Sequence, residues 1–179
     1  MPEIEIRPAV VEELEVLERI DPSYQTSYAW QMDRAIETSQ VNIRFREVRL
    51  PRPVQVEYPR PAATLQERAE SYPLLLTALL GGSPVGYLGL TTRPQAQSAC
   101  AADLVVRADL RRQGIGSALL LAGLAWAGQQ NIREYCLEVQ SKNYPMIRLA
   151  NKLGFEFCGY NDHYFTSQDI ALFFRRFVK

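Results

Sequence analysis

Leu110-Arg111-Arg112-Gln113-Gly114-Ile115-Gly116-Ser117-Ala118-Leu119 is the stretch whose reading decides the fold. It follows an apolar, strand-like segment, Cys100–Val106, and opens an apolar-periodic segment, Gly114–Gln129, that reads as a helix. A helix N-terminus carries unpaired backbone N–H groups and the positive end of the macrodipole, so it can hold an anion. Gly114 and Gly116 let a phosphate approach the backbone. Arg111 and Arg112 stand ahead of them to pair with its oxygens. The stretch is thus expected to cradle a pyrophosphate between a strand and a helix.

Two familiar glycine patterns do not fit. A P-loop needs Gly-Lys-Ser/Thr, whereas Gly116 is followed by Ser117 with no lysine. A dinucleotide-binding fingerprint needs a third small residue where Leu119 stands, and it normally lies close to the first strand of a domain. Further along, Tyr135–Val139 reads as a strand, and Tyr144–Leu153 as a helix stopped by Gly154. Leu137-Glu138-Val139, then Asn143, then Leu153-Gly154-Phe155, form a second ordered set around those elements.

Together, Arg111-x-x-Gly114-x-Gly116 and this second set resemble the two motifs of the GNAT superfamily of acyl-CoA N-acyltransferases. Ile6-Arg7-Pro8-Ala9 is similar to a first strand of that family. The likeness covers residues 73–178 well and 1–20 loosely. The closing segment around Phe165-Thr166 and Phe173-Phe174 is similar to streptothricin-type acetyltransferases.

The resemblance implies a mixed α/β domain: a mostly antiparallel twisted sheet with one parallel, splayed strand pair, flanked by helices. It implies acetyl-CoA as cosubstrate and a primary amine as acceptor. The pantetheine arm would pair with backbone at Leu104, Val105 and Val106. The pyrophosphate would rest on Arg111, Arg112 and the N–H groups of Gln113, Gly114, Ile115, Gly116 and Ser117. Asn143 would bond the arm. Glu138 is the first candidate base, at the position used by ribosomal-protein alanine acetyltransferases. Asp103, on the facing strand, is the second. An amine with pKa about 10 has to lose a proton before it attacks. Many family members carry a tyrosine four residues before the Gly-Phe glycine, to protonate the departing thiolate. Here that position is Ala150, which leaves Tyr144, Tyr160 or Tyr164 as substitutes, with Tyr160 carried forward as a catalytic candidate. Ala150 also favours an alternative, a non-catalytic acyl-CoA-binding module.

The rest of the chain narrows the partners. Lys+Arg and Asp+Glu are both 20, so the formal net charge is zero, which argues against a general nucleic-acid or membrane-surface binder. One histidine and three scattered cysteines without Cys-x-x-Cys give no metal site. Cys100, Cys136 and Cys158 read as buried free thiols of a reducing compartment, and the expected location is cytoplasmic. At 179 residues, one domain is expected, with 1–72 on the acceptor side and 73–179 as the acetyl-CoA-binding core.

Smaller elements follow from pattern. Ile4 and Ile6 alternate as a strand, Val11–Ile20 reads as an amphipathic helix, and Thr64–Ser71 as a helix with a Thr64/Glu67 capping box. Tyr24–Trp30 receives no assignment, and Tyr24, Tyr28 and Trp30 could line an acceptor pocket. Val41–Leu50 reads as a strand punctuated by Pro51 and Pro53. Pro73–Leu80 and Val85–Thr91 flank a hairpin turn, and Phe155–Tyr160 and Ala171–Val178 close the chain. The aromatic last strand offers an edge to a second subunit, so a homodimer is an expectation.

Overall fold

Strands carry most of the architecture. A computed structural model describes residues 3–178. In chain order the elements are β1 (Ile4–Pro8), α1 (Leu14–Glu18), β2 (Tyr24–Ile36), β3 (Val41–Val56), α2 (Leu65–Ala69), β4 (Leu74–Leu80), β5 (Ser83–Arg93), β6 (Ser98–Val106), α3 (Ile115–Gln129), β7 (Glu134–Gln140), α4 (Tyr144–Lys152), β8 (Glu156–Asn161) and β9 (Ala171–Phe177). Seven strands form one sheet in the order β1-β4-β5-β6-β7-β9-β8, and β2 and β3 form a separate two-stranded ribbon. Every pairing in the large sheet is antiparallel except β6 with β7. That is the mixed α/β class the sequence implied.

The parallel pair defines the site. β6 and β7 are in register only from Ser98↔Glu134 to Ala101↔Leu137. Beyond those residues β6 runs on to Val106 and β7 to Gln140 without pairing, so the strands splay. A bulge precedes the fork: Gly89 faces Asp103 and Leu90 faces Ala101, which leaves Ala102 as the extra residue. The bulge reverses the alternation of β6. Ala99, Ala101, Leu104 and Val106 all contribute to the core beneath α3 and α4. Asp103 and Val105 turn to the other face, where Val105 packs with Leu14 and Leu17 of α1 and Leu65 of α2.

Several boundaries differ from expectation, for physical reasons. Val11–Ile20 is a short 3-10 turn, Val11–Glu13, followed by the five-residue α1. β3 does not end at the prolines. Tyr28 faces Arg49 and Thr26 faces Val54, so residues 50–53 loop out opposite Ser27, where Pro51 and Pro53 owe no ladder N–H. The α2 capping box forms as read: Thr64 Oγ1 accepts from Glu67 N–H at 3.2 Å, and Glu67 Oε2 accepts from Thr64 N–H at 2.7 Å. Of the cysteines only Cys100 is buried; Cys136 is half-buried and Cys158 exposed, and all three are free. The last strand is not an edge. β9 lies between β7 and β8, so its ladder is filled on both sides and it has none to offer a second subunit. Among the described residues no helix is long and apolar enough to cross a membrane.

Candidate active site

The splay opens into a cleft of about 440 Å³ that runs from β6 to the start of α3 and the face of α4. Gly114 caps α3 with φ of 91°, a left-handed conformation that favours glycine. The first backbone bond of the helix is Ala118 N–H to Gly114 O at 2.9 Å. The N–H groups of Ile115, Gly116 and Ser117 therefore precede the helical ladder and are left without a partner in it.

Among the described residues, four cationic side chains line this cleft, Arg111, Arg112, Arg148 and Lys152, and no acidic one does. Arg148 and Lys152 are missing from the sequence reading. Their i, i+4 spacing on α4 was visible, but the face they share was not. The two helices approach closely here: a Cβ built on Gly116 would lie 3.4 Å from the Leu149 side chain.

Arg111 differs in role from its neighbour. Its guanidinium donates to three backbone carbonyls, Val106 O at 2.8 Å, Ser23 O at 2.6 Å and Asp21 O at 2.8 Å. It braces the turn against the segment entering β2, and burial lowers its pKa. Arg112, exposed with φ of 66°, is free of such contacts among the described residues.

The free edge of β6 is partly dressed by side chains. Leu104 N–H donates to the Tyr58 hydroxyl at 3.2 Å, and Val106 O accepts from Arg111 Nε. Arg107 N–H, by contrast, donates across to Val85 O of the β4–β5 side. Alternation therefore aims the backbone groups of Leu104 and Val106 into the splay and those of Val105 toward β5. Asn143 also lines the cleft; its Oδ1 accepts from Met146 N–H at 3.1 Å, which caps α4.

Glu138 is the first β7 residue past the last paired position. Tyr135, Leu137 and Val139 face the core, so Glu138 projects from the opposite face with Cys136 and Gln140. Its side chain is about one quarter exposed. Oε2 accepts from the Tyr164 hydroxyl at 3.1 Å, and Oε1 lies 3.4 Å from Arg93 Nη2 and 3.9 Å from Cys100 Sγ. Burial, reinforced by the Glu138 charge, pushes the Cys100 thiol up, and the same two causes raise Tyr164.

Asp103 is placed elsewhere than a base requires. Its side chain is 2% exposed, and its Oδ2 is held by Arg68 Nε at 3.1 Å and by the Tyr72 hydroxyl at 2.7 Å. The bulge at Ala102 turns it under α2. The Tyr72 ring lies against Gly89, where any Cβ would collide with it. Tyr160 is likewise away from the cleft. It sits on β8, edge-on to Phe45 of the ribbon at 5.2 Å. Tyr144 packs on Tyr28, with ring centroids 5.0 Å apart.

Two tyrosines that sequence reasoning did not single out as proton donors do line the cleft, Tyr24 and Tyr58. Tyr24 donates to Gln140 Oε1 at 2.7 Å, and Gln140 Nε2 donates to Asp169 Oδ2 at 3.2 Å. Burial raises the pKa of both tyrosines. Tyr24 was expected at an acceptor pocket and does line the cleft, whereas Tyr58 carried no such signal, because it comes from the segment without pattern.

An exposed strand edge, unpaired N–H groups at a helix start and an acid-free cationic rim suit a ligand with a pyrophosphate and an extended amide arm. Residues 40–155 match the profile of the acetyltransferase (GNAT) family. The chain belongs to that family. It is an acyltransferase, and the family uses acetyl-CoA. No curated protein matches the sequence. Among solved structures, nourseothricin acetyltransferase is similar at TM-score 0.83 and 20% identity, covering 98% of this chain and 99% of its own. A Bacillus anthracis protein assigned as a streptothricin acetyltransferase, in complex with acetyl coenzyme A, is similar at TM-score 0.81 and 19% identity, covering 99% of each chain. The ribosomal-protein alanine N-acetyltransferase from Escherichia coli is similar at TM-score 0.67 and 17% identity, over 99% of this chain and 95% of its own. At these identities the likeness is one of fold.

Proposed function

We propose that the protein transfers the acetyl group of acetyl-CoA to a primary amine of a small molecule or peptide, by direct attack in a ternary complex. The observation that carries this is the cleft, where a strand fork runs into the α3 N-terminus beneath four cations and no acid. In this reading residues 73–179 hold the cosubstrate and residues 1–72 form the acceptor side of one domain. The two neighbours above TM-score 0.8 make streptothricin-class amines the first acceptors to try. Use of acetyl-CoA and three free thiols suit a cytoplasmic location.

The chemistry is divided between the faces of the fork. On the α3 face, N–H groups of Ile115, Gly116 and Ser117, with Arg112, Arg148 and Lys152, take the pyrophosphate and neighbouring phosphate charge. The Leu104 and Val106 backbone accepts the pantetheine arm as an added strand. On the other face Glu138, oriented by Tyr164 and Arg93, removes a proton from the acceptor ammonium. The neutral nitrogen attacks the thioester carbonyl carbon, and the carbon–sulfur bond breaks. Asp103 takes no proton; it anchors α2 to the bulge.

The test is thermal shift with coenzyme A, ATP and NAD at equal concentration. Coenzyme A raises the melting temperature and the nucleotides do not. Stabilisation by ATP or NAD without coenzyme A overturns the assignment.

A further inference from the structure

From the cleft geometry we infer that Tyr58 is the proton donor to the leaving sulfur, replacing the role left open by Ala150. This rests on acetyl-CoA being the cosubstrate. Ala150 is fully buried in the core beneath α4, with no group to donate. Tyr144 and Tyr160 pack on aromatic rings outside the cleft, and Tyr164 has already given its hydroxyl hydrogen to Glu138 Oε2. Only Tyr24 and Tyr58, among the described tyrosines, line it.

These two differ in the direction of their hydrogen bonds. Tyr24 has given its hydrogen to Gln140 Oε1, and Gln140 is locked in that orientation because its amide nitrogen donates to Asp169. Tyr58 is on the receiving end. Its oxygen accepts from Leu104 N–H, so one lone pair is fixed on β6 and its own O–H is left to turn into the splay. Leu104 is one of the two residues whose backbone faces the fork, so the phenol stands where the acyl end of an added pantetheine strand arrives. The ring is held by the small core under α1 and α2.

The surroundings keep the phenol protonated. Burial raises its pKa, and the charge of Asp103 on β6 adds to this, with Tyr87 on β5 and Tyr72 beyond α2 acting in the same direction. The Leu104 N–H bond opposes them and makes the hydrogen more available. As the carbon–sulfur bond breaks, its electron pair stays on sulfur and the Tyr58 hydrogen passes to that sulfur. The surplus proton on the acylated nitrogen returns through water to the phenolate, and the product is an amide with a free thiol.

The experiment needs no acceptor. Coenzyme A itself is the probe, and the pKa of its bound thiol is read from thiolate ultraviolet absorbance, corrected with the ligand-free protein. A donor beside the sulfur favours the thiolate. The wild-type complex therefore titrates below free coenzyme A, and Tyr58→Phe moves it up by about one unit, a tenfold change in the ionisation constant. Calorimetry on both proteins shows coenzyme A bound within about threefold in Kd. Fluorotyrosine at position 58, a stronger donor that keeps the shape, moves the thiol down. Binding of coenzyme A with equal thiol pKa in wild type and Tyr58→Phe overturns the role of Tyr58 and leaves the cosubstrate assignment standing. Failure of coenzyme A to bind the wild type overturns both.

Discussion

Replacing Asp103 by Asn separates a structural carboxylate from a catalytic one. The side chains of Asp103 and Arg68 are 2% and 6% exposed, and Arg68 Nε lies 3.1 Å from Oδ2. Removing one member of a buried pair typically costs about 3–5 kcal/mol, because the partner charge is stranded. Two features push the expectation to the lower end. Asn keeps an oxygen for the Tyr72 hydroxyl, and the Glu18 carboxylate stands 4.0 Å from Arg68 Nη2. About 3 kcal/mol is expected, which for a chain of this size lowers the melting temperature by roughly 6–12 °C. Urea unfolding and a thermal melt read this directly. Thiol release from acetyl-CoA, assayed well below the lowered transition, stays within about threefold of wild type. A general base would behave oppositely, with a loss of about 10²–10⁴ in rate and an unchanged melt. That second pattern refutes the placement of Asp103.

Glu138→Gln lowers the acetylation rate of an active amine by at least about a hundredfold at neutral pH and by less at high pH, where more acceptor is already neutral; a pH–rate profile checks this. Arg148→Ala and Lys152→Ala each weaken coenzyme A binding by about three- to tenfold in calorimetry, and the deficit shrinks as salt rises. Tyr24, Tyr58, Tyr72, Tyr87 and Tyr135 all have folded-state pKa values raised by burial, Tyr87 to about 12. Unfolded tyrosines ionise near about 10, so the native state holds more protons above that pH, and stability falls as pH climbs from about 10 toward 12. Phenolate absorbance then appears for these five together with unfolding, rather than as independent titrations.

The local structure around the glycine turn, Glu138 and Asn143 was readable, because a helix start, a strand end and a cap speak through neighbours in sequence. Asp103 was not, because simple alternation cannot see the extra residue at Ala102 that turns the next side chain to the other face. Arg111 looked like a free anion ligand until the carbonyls of Asp21 and Ser23, some ninety positions away, were found to occupy it. The ribbon escaped for a related reason. Pro51 and Pro53 read as strand breakers, yet they fall in the looped-out stretch opposite Ser27. Trp30 and Phe45 of that ribbon then pack on Phe157 at 6.1 and 5.5 Å, contacts between segments more than a hundred residues apart. Tyr58 belongs to this long-range class too, since only the fold sets its hydroxyl beside Leu104.

Amide hydrogen exchange with and without coenzyme A tests the central claim most directly, because the claim concerns particular N–H groups. Added coenzyme A should slow exchange at Ile115, Gly116 and Ser117 and at Val106 on the β6 edge, while Val105, already tied toward β5, changes little. Binding that leaves the start of α3 and the β6 edge exchanging as before would contradict the account.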